Sequence, residues 1–219
     1  MSLFLTYDAQ NAEYLLKPAG YAVLAAALIL LLIVLPNIGR QKHRPMKTKQ
    51  LVFCSAAMAL AVIASFIKFA SLPFGGSITM FSMLFICLIG YFYGPRVGLI
   101  TGVAYGILQL ITGPYIYAPL QVILDYPAAF AALGLSGFFY KAKHGLVIGY
   151  ITGCIGRYIC HVISGYIFFA SYAPESMNPM LYTLGYNATY IVPELIATVV
   201  ILMLPPVRRA IALVKQQAV

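Results

Sequence analysis

"RYICHVISGYIFFASYAP", Arg157–Pro174, is almost wholly apolar, yet it carries Arg157 and His161. Four residues apart, these two side chains share one face of a helix. The apolar run around them reaches back to about residue 146, so it is long enough to cross the ~30 Å of a bilayer's hydrocarbon. Ionisable groups at membrane depth cost a few kcal/mol or more each; they usually face the protein interior and mark function. This stretch therefore reads as a membrane helix with one face turned toward an interior.

The rest of the chain has the same character. Its 219 residues are 62% hydrophobic and 9% charged, where soluble domains are about a quarter charged. The mean hydropathy is +0.91. Apolar spans fall near 19–36, 50–67, 78–93, 97–112, 119–139, 146–170 and 181–204. The span at 78–93 is short. Turn chemistry marks the breaks: Pro36, "PFGG" at 73–76, "GPR" at 94–96, "GPY" at 113–115, "KAKHG" at 141–145, "APESMNP" at 173–179 and "PP" at 205–206. The run at 19–36 lacks a small-residue cleavage site and precedes a basic segment, so it reads as a retained helix. No span shows the alternation of a membrane barrel.

The net charge of +9 is a topology signal. Alternate breaks hold Arg40, Lys42, Arg44, Lys47 and Lys49, then Arg96, then Lys141 and Lys143, then Arg208, Arg209 and Lys215. By the positive-inside rule the N-terminus is outside and the C-terminus cytoplasmic, in a multi-pass cell-membrane protein. The charge then serves orientation and anionic-lipid contact rather than nucleic acid. Cys54, Cys87, Cys154 and Cys160 lie in apolar runs without metal-ligand spacing and read as buried fillers. With no nucleophile–base pair, metal cluster or phosphate-cradling loop in the sequence, an enzyme or stand-alone channel is the weakest reading.

The ionisable groups at depth are Asp125, Arg157, His161 and Glu194. Arg157 and Glu194 each lie 13 residues from the outer ends of their spans, at 170 and 181. Equal depth on sequential antiparallel helices suggests a structural ion pair. Asp125, His161 and Asn187 form a second level, about 9–14 Å below the outer surface at ~1.5 Å per residue. An unpaired carboxylate there favours a small cationic ligand; the alternative is that Asp125 hydrogen-bonds backbone or His161. Phe169 lies on the His161 face, with Gly165 between them leaving space. Tyr182, Tyr186 and Tyr190 recur every fourth residue, and Tyr105 faces the outer half of its span. An acid framed by aromatic faces suits a delocalised organic cation. Small residues also recur every fourth position at Gly94, Gly98, Gly102 and Gly106, and at Ala57, Ala61 and Ser65. Such stripes let membrane helices approach closely. The glycine stripe reads as internal packing; the alanine stripe is either internal or a docking face.

Three blocks, "PFGGSITMFSML" at 73–84, "LQVILDYPAAFAALGLSG" at 120–137, and "RYICHVISGYIFFASYAP" with "LYTLGYNATYIVPE" at 157–194, resemble the thiamine-binding S component of energy-coupling factor (ECF) transporters. The resemblance covers roughly residues 47–205. It implies an all-α polytopic membrane bundle: a six-helix substrate-binding core within 47–219, with a short cytoplasmic tail. Residues 1–46 add an extra N-terminal transmembrane helix and a basic linker. It further implies a thiamine pocket near the outer face formed by Asp125, Tyr126, His161, Gly165, Phe169, Tyr182, Asn187 and Tyr105. Phe169 would stack on a ligand ring, His161, Tyr182 and Asn187 would orient it, and Asp125 would supply the acceptor or counter-charge. No cofactor is implied. The partners would be a membrane coupling subunit, docked on Ala57, Ala61 and Ser65, and two ATPase subunits that alone use ATP. The alternative reading is an S component or transporter for another small nutrient, such as a thiamine pyrimidine precursor.

Overall fold

The computed structural model describes residues 5–8, 13–16, 19, 46–113 and 115–219. Two short antiparallel strands, β1 (Leu5–Asp8) and β2 (Glu13–Leu16), pair with Leu5 opposite Leu16. Then follow α1 (Thr48–Phe66), the hairpin β3 (Lys68–Ser71) and β4 (Ser77–Thr79), α2 (Ser82–Tyr93) and α3 (Pro95–Thr112). The chain continues through α4 (Pro119–Phe139), α5 (Gly145–Phe168), α6 (Pro179–Met203) and α7 (Pro205–Ala218). The expected spans from 50 to 204 all appear as helices within a few residues. Apart from residue 19, the span expected at 19–36, and with it most of the proposed N-terminal segment, lies outside the described residues.

Five of these helices, α1, α3, α4, α5 and α6, are long and apolar enough to cross a membrane. With 12 residues, α2 is shorter. The surface is that of a polytopic membrane bundle. Ile155, Ile159, Ile163 and Ile167 on α5, and Val192, Ile196 and Val200 on α6, form exposed apolar stripes at every fourth position. Arg157 and Glu194 lie on other faces of the same two helices. That inversion of the soluble pattern is what a hydrocarbon solvent selects.

Local chemistry sets the helix ends. Asn178 caps α6 by accepting the Met180 amide at 2.8 Å, and Pro179 takes the first helical position, where its missing N–H costs nothing. Between α2 and α3, Gly94 adopts a φ of 89°, which a side chain would strain, and Pro95 starts the next helix. The glycine stripe is internal, as the sequence suggests. A Cβ at Gly102 would lie 2.3 Å from the Phe130 carbonyl oxygen, so α3 and α4 touch backbone to backbone.

α4 is not one regular helix. Leu124–Ala128 forms a π-helical turn with Pro127 inside it, and Gly134–Phe139 tightens to 3-10 geometry. Pro127 has no N–H to continue the ladder, and the wider turn lets the backbone pass it. Asp125 and Tyr126 sit on this turn.

The stripe Ala57, Ala61 and Ser65 faces inward, which corrects its expected docking role. Ala57 and Ala61 are buried in the core, with Ala61 beside Met83 and Tyr105. Ser65 lines an internal cavity, and its hydroxyl donates to the Val62 carbonyl at 2.7 Å. Small residues are needed here because the Tyr105 hydroxyl must reach the Ala61 carbonyl, 3.1 Å away. The outward face of α1 is instead Val52, Leu60, Ile63 and Phe66. The tail expected after 205 folds as α7. Val207 and Ile211 pack on the core, and Lys215 donates to the Tyr140 carbonyl while lying 3.6 Å from the Tyr91 ring centroid.

Candidate functional site

A cavity lies among α1, α3, α4, α5, α6 and the β3–β4 hairpin. Its lining comes from the helix ends remote from Lys47, Arg96, Lys141 and Arg208. The eight residues expected at a ligand site, Tyr105, Asp125, Tyr126, His161, Gly165, Phe169, Tyr182 and Asn187, all line it. So do Ser65, Arg157 and Glu194, which the sequence reading placed elsewhere.

The polar centre is a chain of four side chains on α4 and α5. Gln121 donates to Asp125 Oδ2 at 2.7 Å. Asp125 Oδ1 lies 2.9 Å from His161 Nδ1. Arg157 Nε lies 3.2 Å from His161 Nε2. Spacing of four residues puts Gln121 beside Asp125 and Arg157 beside His161, one helical turn apart. Asp125 is therefore not an unpaired carboxylate: His161 and Gln121 each take one oxygen. A carboxylate has about four acceptor directions, so two remain for a ligand.

On α6, Asn187 ties this helix to α5. Its amide donates to the His161 carbonyl at 3.3 Å and the Thr183 carbonyl at 2.9 Å, and its oxygen accepts from Tyr190 at 2.6 Å. Gly165 serves the same close approach. The space expected above it is taken by Thr183, since a Cβ at Gly165 would lie 2.6 Å from Thr183 Cγ2.

Aromatic rings enclose the far end. Phe169 ends α5, with its ring centroid 5.9 Å from Tyr115, 5.2 Å from Tyr117 and 6.2 Å from Tyr172. Tyr182 stacks on Tyr186 at 6.2 Å. Tyr126 is held by its hydroxyl, which accepts the Tyr115 amide at 2.7 Å. Tyr105 is fully buried at the inner wall, with Phe130 edge-on at 4.8 Å.

The expected direct ion pair between Arg157 and Glu194 is not formed. Both groups line the cavity, but each has other partners. Glu194 Oε2 accepts from the Thr79 amide at 3.2 Å and the Thr79 hydroxyl at 2.8 Å; Oε1 accepts from the Met83 amide at 3.4 Å. Arg157 turns instead to His161 and lies 4.3 Å from the Phe130 ring centroid. One turn plus one turn back along α6, Tyr186 holds the same loop: its hydroxyl contacts the Pro73 carbonyl and lies 3.3 Å from the Gly76 amide. Thus α6 grips the segment that closes the cavity on one side.

Sequence reasoning missed Gln121, Tyr115 and the hairpin residue Thr79. Gln121 was findable from its four-residue offset to Asp125. Tyr115 stood in a turn tripeptide, and nothing local marks Thr79 as a partner of a residue 115 positions away.

The chain is similar to known proteins over most of its length. A family model described as thiamine transporter protein matches residues 51–213. The thiamine transporter ThiT of Bacillus subtilis is 37% identical over 167 residues, covering 70% of this chain and 85% of that protein. The thiamine transporter ThiT of Lacticaseibacillus paracasei is 34% identical over 117 residues, covering 46% of this chain and 58% of that protein. The solved structure of ThiT from Listeria monocytogenes superposes with a TM-score of 0.61 at 25% identity, covering 70% of this chain and 90% of that one.

Proposed function

Since the chain belongs to the thiamine transporter protein family, we propose that its cavity takes up thiamine from outside, and that the chain is the substrate-binding S component of an ECF-type transporter. The observation that carries this reading is the hydrogen-bonded Asp125–His161 pair in a cavity walled by Phe169, Tyr115 and Tyr182. Thiamine joins a cationic aromatic ring to a hydrogen-bonding pyrimidine. The spare acceptor directions of Asp125 and the aromatic faces suit the first part. A cation over an aromatic face is worth about 0.5–2 kcal/mol, more when desolvated. The Tyr182 hydroxyl, which also lines the cavity, suits the second.

The cavity sits at the cation-poor ends of the helices, which the positive-inside rule assigns to the outside. The C-terminal α7 and its arginines are then cytoplasmic, and the N-terminus is outside. Residues 47–219 form the binding unit, preceded by an N-terminal segment. The chain binds and reorients; a membrane coupling subunit and two ATPase subunits supply the energy. With Ala57 and Ala61 buried, the coupling subunit meets other surface.

The test is a calorimetric titration of the purified chain with thiamine, thiamine phosphate and the isolated aminopyrimidine. Saturable thiamine binding with one site, tighter than that of the bare pyrimidine, is expected. Preference for the bare pyrimidine, or no binding of thiamine by folded protein, would overturn the proposal.

A further inference from the structure

We propose that Arg157 is a positioning residue of this site: its Nε–H group fixes the tautomer of His161 and, through it, the carboxylate of Asp125. Sequence depth alone makes Arg157 a structural partner of Glu194. The geometry gives it a different task.

A guanidinium has donors and no acceptor. At 3.2 Å from His161 Nε2, the Arg157 Nε–H can only donate, so Nε2 must present its lone pair. The imidazole proton then belongs on Nδ1. There it points at Asp125 Oδ1, 2.9 Å away. The opposite tautomer sets two N–H groups against each other at one end of the ring. At the other end it sets a lone pair against a carboxylate. Both neighbours of the ring therefore select the same proton position.

The chain is anchored at each end. The Arg157 guanidinium lies over the Phe130 ring at 4.3 Å, and Phe130 packs edge-on against Tyr105 at 4.8 Å. Tyr105 is in turn bonded to the Ala61 carbonyl. At the far end Gln121 holds Asp125 Oδ2 and accepts the Tyr117 amide at 3.0 Å. The carboxylate is thus oriented from both sides, and its two remaining acceptor directions are fixed relative to the cavity. A binding group held this way needs no reordering when a ligand arrives. A planar donor fork stacked on a ring is poorly replaced by an ammonium, which keeps the charge and loses the stack.

The effect on affinity rests on the reading of the cavity as a thiamine site; the effect on the tautomer does not. The experiment is 15N NMR of ligand-free protein labelled at histidine, with the His161 signals identified by their loss in His161→Ala. Wild type should show a protonated Nδ1 and an unprotonated Nε2. With Asp125 alone selecting Nδ1–H, Arg157→Met should show a smaller excess of that tautomer and bind thiamine at least tenfold more weakly. Arg157→Lys, which can still donate, should keep the tautomer and recover part of the affinity. An Nε2–H tautomer or an imidazolium in wild type overturns the proposal. So does an Arg157→Met protein whose tautomer or thiamine affinity matches wild type. If Arg157→Met does not fold, the wild-type spectrum and Arg157→Lys decide: an Arg157→Lys protein that loses the Nδ1–H tautomer yet binds as wild type also refutes it. Failure of wild type to bind thiamine, with the tautomer as expected, strikes the ligand reading alone.

Discussion

Replacing Glu194 by Gln should loosen the β3–β4 hairpin from α6 while leaving the bundle folded. In wild type the carboxylate accepts three hydrogen bonds, two from Thr79 and one from Met83. The side chain is 4% exposed, so water cannot readily replace a lost partner. A glutamine offers one acceptor oxygen. Turned toward Thr79, it keeps the two shorter bonds and points its NH2 group at the Met83 N–H. One bond is lost, two donors oppose each other, and the two surviving bonds are no longer charge-assisted. Bonds to a charged group are worth about 1.5–3 kcal/mol and ordinary ones about 1 kcal/mol. The expected weakening of the hairpin contact is about 2–3 kcal/mol, a factor of roughly 30–150 at 1.4 kcal/mol per tenfold. Hydrogen exchange in detergent reads this directly. The Thr79 and Met83 amides should exchange one to two decades faster in Glu194→Gln, with the amides of α3 unchanged. Unchanged protection at Thr79 would refute the reasoning. Uniformly faster exchange across α3 as well would show that Glu194 supports the whole bundle instead.

Other perturbations follow from particular contacts. Gly102→Ala drives a Cβ to 2.3 Å from the Phe130 carbonyl oxygen; overpacking of this kind costs about 1–3 kcal/mol, so thermal stability in detergent should fall. Ala61→Leu should be equally damaging, because Ala61 is fully buried, whereas Leu60→Ala on the outward face should leave the melting temperature nearly unchanged. Phe169→Ala removes one ring from the aromatic end and should weaken thiamine binding about twofold to thirtyfold, the range of a cation–π contact of about 0.5–2 kcal/mol. Isothermal titration distinguishes that from unaltered binding, which would exclude Phe169 from ligand contact.

The spans were legible because a bilayer imposes a length and a polarity that composition alone reveals. The residues that meet at the cavity were legible by depth: Asp125, His161 and Asn187 share a level because the helices run through the membrane at a fixed rise per residue. What depth cannot specify is azimuth. Arg157 and Glu194 do share a level, yet rotation about their helix axes gives one to His161 and the other to Thr79. The stripe at Ala57 and Ala61 posed the same problem, since a small-residue repeat is identical whether it faces a neighbouring helix or a partner protein. Gly165 shows a third limit. A missing side chain marks space, and only the partner helix decides that Thr183 fills it. The α4 irregularity was foreshadowed by Pro127 alone; a proline breaks a ladder without stating whether the chain kinks or widens.

The most direct test of the account is the thiamine affinity of Asp125→Asn against wild type, measured by calorimetry on protein shown to be folded. The amide oxygen can still accept the His161 N–H, while its NH2 group replaces the oxygen that accepted from Gln121, so the change removes the charge and one hydrogen bond. A unit charge pair about 4 Å apart is worth at most about 4 kcal/mol at an effective dielectric of 20. The account predicts a loss of tenfold to a few hundredfold. Wild-type affinity in Asp125→Asn would contradict it.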